Sequence, residues 1–525
     1  MSKVFLGIDA GTSVLKACAF SADGEILAKA QRPVQIITPR HAWAEIDVEH
    51  YWQLALAAIR EALDGLGPVD GIGVSATCPT TIFMDAGFRP LRAGILYLDG
   101  RSDELVRAFA GGHGGGRELF RRVGNHPSSS TCWLGNLRWL REYEPEVWKR
   151  TRRIGLLGSF IVQRLAGSFT LDWTQASYSG GFDISRPERG WLPGLLRDWK
   201  ADADMLPELG PSHRAAGELL PGAARDMGVV PGAPVAFGSA DTAAAAFAVG
   251  LRRIEDVLET SGTSGVLTFC LDRPDFDEAF MNRCHILPGR WLAHGAMSTL
   301  GGAFAWMKNK VWPESVSVAE LEQLAAESPA GANGLIFLPY LAGERSPIWD
   351  PDASGAWIGL RLDSTRADMA RAVFEGTAYG LRQMLERAKK RWGLVPREVL
   401  SVGGGSRSRF WARIKREVTG LDYRLAEKPD AGAWGAALLG AIASGEFSGP
   451  DDARIRFILP NRPLASPSRS ERMRLADLER KRAYDKAFRN YEKLYPALRP
   501  VMHDLAKNDG EQAGAVRGHG IEPVP

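Results

Sequence analysis

Two short stretches of the chain carry the same arrangement of glycine and hydroxyl residues: Gly7-Ile-Asp-Ala-Gly-Thr-Ser-Val-Leu-Lys16 and Leu258-Glu-Thr-Ser-Gly-Thr-Ser-Gly-Val-Leu267. Each follows a β-rich run. Glycine beside Thr or Ser lets backbone N–H groups and hydroxyls point at phosphate oxygens with no Cβ in the way. The chemistry this suits is the holding of a phosphate chain, with Gly11, Thr12, Ser13 and Lys16 on one side of a cleft and Gly262, Thr263 and Ser264 on the other. Asp9 adds a carboxylate suited to a hydrated Mg²⁺, held through water. A single Gly-Thr-Ser is more often an ordinary turn, but two copies in equivalent places imply two related halves facing one nucleotide. Lys16 is the weaker member, since a lysine leaving a strand also reads as a solvated charge.

The elements that must position these residues follow from the apolar pattern. Val4 to Ile8 is a short strand, and Ala17–Phe20 with Glu25–Ala28 reads as a hairpin turning at Asp23-Gly24. Asp47 is placed as N-cap of a helix over Val48–Leu63, after which Gly71-Ile-Gly-Val-Ser75 begins another strand. Strands alternating with helices give an α/β fold. The run Gly111–Gly116 reads as a loop insertion. Further on, the strand Glu398–Val402 leads into Gly403-Gly-Gly-Ser-Arg-Ser408, which opens a helix over Arg409–Thr419. From about Ser468 the chain is densely charged with helical patterning through Tyr495, and from Asn508 onward it is Gly-rich and polar.

A length of 525 residues exceeds one hydrophobic core and implies two large domains. We place them at 1–249 and 250–505, with 506–525 as a disordered tail dispensable for chemistry. With 45% hydrophobic residues, 24% charged and a net charge of +3, the chain is of average globular composition and gives no footprint for nucleic acid. The cysteines, Cys18, Cys78, Cys132, Cys270 and Cys284, are scattered with no Cys-x-x-Cys spacing, which speaks for buried thiols in a reducing compartment and against zinc. Met1–Leu6 runs directly into the first phosphate turn, and no apolar run approaches roughly 18 residues. A cytoplasmic enzyme with no membrane partner is the expectation; a homodimer is compatible with it.

The sequence resembles the FGGY family of carbohydrate kinases from Val4 to about Met502. The matching stretches, in family order, are Gly7–Thr12 with Lys16, Ala42–Asp47, Ile95–Arg101, Gly238–Thr242, Thr260–Ser264, Leu338–Arg345 and Ser401–Ser406. The resemblance implies two ribonuclease-H-like domains, the actin and hexokinase fold, closing over ATP with Mg²⁺ and a sugar or polyol. It also implies a role for Asp241, which matches the position of the family's catalytic aspartate. An alcohol is a poor nucleophile, so phosphoryl transfer to it calls for a base near the hydroxyl. Outside that context a lone Asp between Pro234–Phe237 and Thr242–Phe247 would read first as a helix cap.

The first domain is then expected to bind the sugar and carry the base, and the second to bind the nucleotide. For the nucleotide the resemblance points to Gly404, Gly405, Ser406 and Ser408, although relatives commonly carry Asn near the end of this motif where Ser408 stands. For the sugar it points to Asp99 and Arg101, with Trp43 and Glu45 positioning a loop; a simple ion pair or turn is an equally good reading of Arg101. Xylulokinase-like members carry Gln-Met-His-Gly where this chain has Ala76-Thr-Cys-Pro-Thr80. Proline in place of the imidazole removes a side-chain donor and a backbone N–H. That leaves Thr77 and Cys78 as candidate contacts, with the hydroxyls of Thr80 and Thr81 close by. The rest of the framework is xylulokinase-like, so a ketopentose such as xylulose or ribulose, or a related polyol, is preferred. His126 and His285 have no partners at metal-ligand spacing and read as structural, and Trp434 reads as core. Two other classes stay open at this point: an actin-like ATPase, and a sugar-responsive regulator without phosphotransfer. Sugar-dependent ATP turnover would exclude both.

Overall fold

In the computed structural model, residues 3–40, 42–313, 316–425, 430–452, 455 and 475–516 are described. The chain divides into two compact units. The first comprises Met1–Ile254, Cys270–Ala293 and Glu427–Asn461, and the second Glu255–Phe269, His294–Ala426 and Arg462–Pro525. Two segments from beyond residue 250 therefore belong with the N-terminal unit.

The first unit opens as a meander: β1 (Val4–Ala10), β2 (Val14–Ser21) and β3 (Ile26–Pro33), each antiparallel to the next. The register pairs Asp9 with Lys16 across the hairpin. The turn into β3 has Gly24 at φ 79° with its N–H on the Ser21 carbonyl, as the Asp23-Gly24 signal predicts. A short strand β4 (Glu45–Ile46) precedes helix α1 (Val48–Leu63), whose cap is Asp47, accepting the His50 N–H at 2.9 Å. Strand β5 (Gly71–Ala76) lies parallel to β1 and is buried throughout. It is followed by β6 (Thr80–Met84) and β7 (Gly94–Leu96) in a second, four-stranded sheet with β4 and Arg153–Leu156. On the far side of β5 run Pro234–Ala236 and then Ser239–Ala240, both parallel to it. Gly238, at φ 95°, joins them; a Cβ there would lie 2.8 Å from the Val74 carbonyl oxygen. The helix Asp241–Ala248 starts at the end of this strand.

The helix Ala431–Ala443 packs on β1 and β5 at a distance only glycine permits. A Cβ on Gly7 would lie 1.9 Å from the Ala433 carbonyl oxygen, and one on Gly73 1.8 Å from that of Ala436. Trp434 on this helix is buried against Phe20, with ring centroids 4.9 Å apart. The glycine run at 111–116 is half helical, with the expected loop confined to 113–115. Asp103–Gly112 and Gly116–Val123 are helices separated by three residues, with positive φ at Gly114 and Gly115 supplying the break.

The second unit repeats the opening device. Val257–Ser261 and Gly265–Leu271 form an antiparallel hairpin, and Val257–Ser261 runs parallel to Glu398–Val402, itself parallel to Asp422–Leu425. The long helix Arg366–Trp392 begins with a capping box between Thr365 and Asp368 and ends at Gly393 in the left-handed region. The helix Leu475–Val516 continues through 506–516, part of the stretch expected to be a disordered tail. Residues 517–525, and the start of the charged region at 468–474, lie outside the described residues.

Candidate active site

In the first unit the β1–β2 turn and the end of β5 meet. The Thr77 N–H donates to the Ala10 carbonyl at 2.9 Å, and the hydroxyls of Thr12 and Thr77 lie 2.7 Å apart. The Tyr51 hydroxyl, reaching in from α1, donates to the Gly11 carbonyl at 3.0 Å. Ser13 takes part through its backbone, its carbonyl accepting the Val34 N–H. Thus Gly11, Thr12 and Thr77 are held by one another and by α1, and Ser13 by Val34.

Asp9 lies at the end of β1, its Oδ1 accepting the Ser75 hydroxyl at 2.7 Å. Burial raises its carboxyl above the ordinary range, against the opposing pull of Ser75 and Lys16. Lys16 is 3.1 Å from Asp430, which also takes Lys29 at 3.0 Å. Burial works against the Lys16 charge, but Asp9 and Asp430 outweigh it and hold the ammonium above its usual pKa.

Asp241 is the first residue of its helix rather than the cap. That place is taken by Ala240, and no side chain caps the helix end. The Asp241 Oδ1 accepts the Thr242 N–H at 2.6 Å. Burial pushes its pKa up to about 6, with Arg283 opposing the rise and Asp9 adding to it. A chain of hydrogen bonds fixes the residue before it: the Ala240 N–H donates to the Thr174 hydroxyl at 2.7 Å, which donates to the buried Asp172 at 2.5 Å. Asp172 also accepts the Gln175 side-chain amide at 2.6 Å and both helix-start N–H groups, of Thr174 and Gln175. The backbone that carries Asp241 is therefore held by a buried hydrogen-bond network.

Around Asp241 are side chains from three other segments. Cys78 follows β5; its thiol is pushed up by burial, with Asp172 and Asp241 adding to the rise and Arg283 opposing it. Tyr178 and Arg283 complete the set, the guanidinium carbon standing 4.1 Å from the centroid of the Tyr178 ring. Arg283, on the strand Met281–Cys284, is only 3% exposed, yet its Nε and Nη1 have no hydrogen-bond partner. Ser239 Oγ and Thr242 Oγ1, flanking Asp241, are likewise buried and unpartnered. Sequence reasoning missed Arg283.

Asp99 and Arg101 occupy a different place. Arg101 donates from Nε and Nη2 to the two Asp99 oxygens, at 2.8 and 2.7 Å, and Nη2 also meets Glu45 at 2.6 Å. The Ala44 N–H takes the remaining capacity of Asp99 at 2.6 Å, and Glu45 is shared with Arg92. The Arg101 guanidinium stacks on Trp43 at 3.7 Å and Trp139 at 4.8 Å from the ring centroids. Apart from Arg101 Nη1, which is buried without a partner, the Asp99 and Arg101 side chains are bonded within this cluster and fix the Trp43 loop.

In the second unit the Gly262–Ser264 turn is braced from behind. Its Gly262 and Thr263 carbonyls accept the N–H groups of Leu300, Gly301 and Gly302 at 2.8–3.0 Å. Gly403, at φ 94°, leads into a short 3-10 turn, Gly404–Arg407, in which the Ser406 hydroxyl donates to the Gly403 carbonyl at 2.6 Å. Gly404 is exposed, with open space where a Cβ would stand, whereas a Cβ on Gly405 would meet Ser261 Oγ at 2.4 Å. Ser408 is the N-cap of Arg409–Thr419, its hydroxyl accepting the Trp411 N–H at 3.0 Å. Beneath these loops a buried Glu259 is bonded by Lys415 and Ser401, and the ammonium sits 3.7 Å from the Trp411 ring centroid.

The FGGY carbohydrate kinase N-terminal domain matches residues 4–248, and the C-terminal domain of the same family matches residues 258–444. The chain belongs to the FGGY family of carbohydrate kinases. The xylulose kinase of Escherichia coli (strain K12) is 30% identical over 511 residues, covering 95% of this chain and 100% of its own. A gluconokinase of Bacillus subtilis (strain 168) is 26% identical, covering 86% and 90%. The crystal structure of the xylulose kinase from Rhodospirillum rubrum superposes with a TM-score of 0.85 at 27% identity, covering 95% of this chain and 100% of that one. The fold is accordingly the two-domain, actin- and hexokinase-like fold of this family. The protein is a phosphotransferase that acts on a sugar hydroxyl, and kinases of this family use ATP with Mg²⁺. This removes the ATPase and regulator readings. Among the described residues no helix is long and apolar enough to cross a membrane.

The first unit offers donors that fit such a metal. Asp9 presents a carboxylate beside the Thr12 turn, oxygen chemistry of the kind Mg²⁺ takes. Gly432 approaches it closely: a Cβ there would come within 2.8 Å of Asp9 Oδ2, so a larger residue would crowd the carboxylate. Among the described residues one other cluster, Asp350, Asp352 and His503 in the second unit, brings ligand atoms within 4.8 Å of one another. There Tyr495 and His503 already bond Asp350 Oδ2, at 2.6 and 2.8 Å, and the cluster ties the last helix to its unit.

Proposed function

We propose that this kinase phosphorylates a ketopentose such as xylulose or ribulose, with Asp241 as the general base. The observation that carries the reading is the Asp241 carboxylate: anchored through Ala240, Thr174 and Asp172, it is raised to about 6 and surrounded by buried donors without partners. A carboxylate with a pKa near 6 is mostly ionised at neutral pH and still a better proton acceptor than an ordinary aspartate. The similarity to xylulose kinases over 95% of the chain favours a five-carbon ketose, and the gluconokinase relative marks the aldonates as the nearest competitor.

In this reading bound Mg·ATP supplies the γ-phosphoryl group and the positive charge that phosphoryl transfer requires. Asp9 holds the metal through water. The backbone and hydroxyls of Gly11, Thr12 and Ser13 receive phosphate oxygens, and Lys16 adds charge from the paired strand. Gly262, Thr263 and Ser264 form the second phosphate turn. Gly404, Gly405 and Ser406 admit the nucleoside, with Ser408 acting through the helix it caps. Thr77 and Cys78 line the sugar side, and Asp241 takes the proton of the attacking hydroxyl at its carboxylate. Asp99 and Arg101 shape this side by fixing Trp43.

The test is coupled ADP release with Mg·ATP against ketopentoses, pentitols, tetritols, glycerol, hexuloses and aldonates, with Asp241→Asn as the blank. One ketopentose is expected to stand well above the rest. A leading response from an aldonate or from glycerol would overturn the substrate, and a normal rate from Asp241→Asn would overturn the base.

A further inference from the structure

We propose that Arg283 is the residue that reads the acceptor sugar, its guanidinium donating to paired oxygens of the molecule whose hydroxyl is phosphorylated. The inference rests on the site proposed above and adds its specificity determinant. A guanidinium is charged at every physiological pH, and burying one without hydrogen bonds is costly. Arg283 is 3% exposed and leaves Nε and Nη1 unbonded. Tyr178, its ring centroid 4.1 Å from the guanidinium carbon, supports the cation through its ring and its hydroxyl and still leaves Nε and Nη1 unbonded. Asp241, the nearby acid that feels its charge, forms no ion pair with it among the described residues. An acceptor carboxylate and a donor fork thus stand near each other, unjoined, with Cys78 sensing both. A hydroxylated molecule is what satisfies both.

Arg283 is a charged donor, whereas the unpartnered Ser239 and Thr242 hydroxyls beside Asp241 are neutral. Pro79 has no N–H and Cys78 only a weak thiol donor, directed at the Gln175 carbonyl at 3.8 Å. The Thr77 hydroxyl is paired with Thr12, and Thr80 Oγ1 is turned to the Thr77 carbonyl at 3.4 Å. Thr81 accepts the Asn136 side-chain amide at 3.0 Å. The Nε–Nη edge of a guanidinium matches two oxygens side by side. The carbonyl and neighbouring hydroxyl of a ketose present such a pair, as does the carboxylate of an aldonate, and a pentitol presents only hydroxyls.

The experiment compares the wild type with Arg283→Met and Arg283→Lys. Sugar binding is measured by calorimetry, and kcat and KM are measured for a ketopentose, the matching pentitol and the matching aldonate. Loss of charge-assisted bonds predicts that Arg283→Met raises the dissociation constant and KM of the preferred sugar about ten- to hundredfold. The KM for Mg·ATP and the unfolding midpoint of Arg283→Lys are expected to stay near wild type. The preference for ketose, or aldonate, over pentitol should collapse in Arg283→Met and return in part in Arg283→Lys, a ratio that a merely structural role would not move. Which of the two substrates loses most identifies the oxygen pair. Unchanged sugar affinity and selectivity in either folded variant overturns the proposal. Wild-type binding without turnover overturns the kinase substrate while leaving Arg283 tested by the binding data, and no binding of any of the three overturns both.

Discussion

Asp241 carries a cost that can be measured separately from its chemistry. Its pKa is raised from 3.8 to about 6, mainly by burial. The shift corresponds to about 3 kcal/mol of preference for the neutral carboxyl in the folded state. The folded protein therefore holds this proton more tightly than the unfolded chain does. The associated stabilisation is present below pH 3.8 and is lost as pH rises through the folded value. Replacement by the neutral isostere in Asp241→Asn should remove this loss. At pH 7 the ligand-free variant is expected to unfold later than the wild type, by up to about 3 kcal/mol, and at pH 4 the two should coincide. Urea titration at both pH values measures this, compared by midpoints because a chain of two units need not unfold in one step. The same ionisation governs turnover. With a pKa of about 6 the base is roughly nine-tenths ionised at pH 7 and one-tenth at pH 5, so kcat/KM for the sugar should fall about tenfold between them. An aspartate with an unshifted pKa would lose less than about a tenth of its activity over that range. A flat profile from pH 7 to 5, together with an Asp241→Asn variant less stable than wild type at pH 7, would refute the reasoning.

Other parts of the molecule give independent expectations. Gly73→Ala would place a Cβ 1.8 Å from the Ala436 carbonyl oxygen, and neither backbone can yield, so soluble expression should be lost or the unfolding midpoint should drop steeply. His285 donates Nε2–H to the Leu251 carbonyl and is held down to about pKa 4 by burial. Its stabilisation, about 3 kcal/mol, is complete above pH 6.5 and lost as pH falls toward 4, and His285→Gln should flatten this part of the stability profile measured by urea titration. Lys415→Met strands the buried Glu259 and is expected to cost about 3–5 kcal/mol by chemical denaturation, whereas adding Glu259→Gln should recover much of it. Thr174→Val removes the acceptor of the Ala240 N–H and should lower kcat more than it changes the KM for Mg·ATP in steady-state assays.

Much of the fold could be read from local chemistry. The Asp47 cap, the apolar spacing of Val48–Leu63 and the Asp23-Gly24 turn each fix an element through residues a few positions apart, and the structure has them where the pattern puts them. The return of Cys270–Ala293 and of the segment after Glu427 to the first unit depends instead on packing between residues far apart in the chain. Its one visible trace is small-residue spacing: Gly440 in the late helix answers Gly71 and Gly73 in the early strand, while Gly432 comes against Asp9 and Gly435 against Ala244. Glycine in a strand interior is unfavourable unless another backbone comes close, so Gly71-Ile-Gly73 announces a close partner without naming it. The run at 111–116 misled because glycine there ends one helix and starts the next.

The same division separates the site residues that sequence finds from those it misses. The phosphate turns, and Asp241 at a strand-to-helix junction, are legible because their function is tied to a local conformation: a turn exposes backbone N–H groups, and a helix start exposes a carboxylate. Arg283 has no such signature. It sits inside the strand Met281–Cys284, and its significance lies in Tyr178, Cys78 and Asp241, each from a different part of the chain. One signal was nevertheless present. Phe280, Cys284, Ile286 and Leu287 make this stretch a buried strand by composition, and an arginine in a buried strand must be paired or serve a ligand. The converse holds for Asp99, which shares its segment with Arg101. Their sequence context resembles a binding segment, yet both oxygens of Asp99 are taken by Arg101 and the Ala44 N–H. A charged side chain whose bonds are complete within the protein shapes a site, and one left with free donors in a dry interior is available to a substrate.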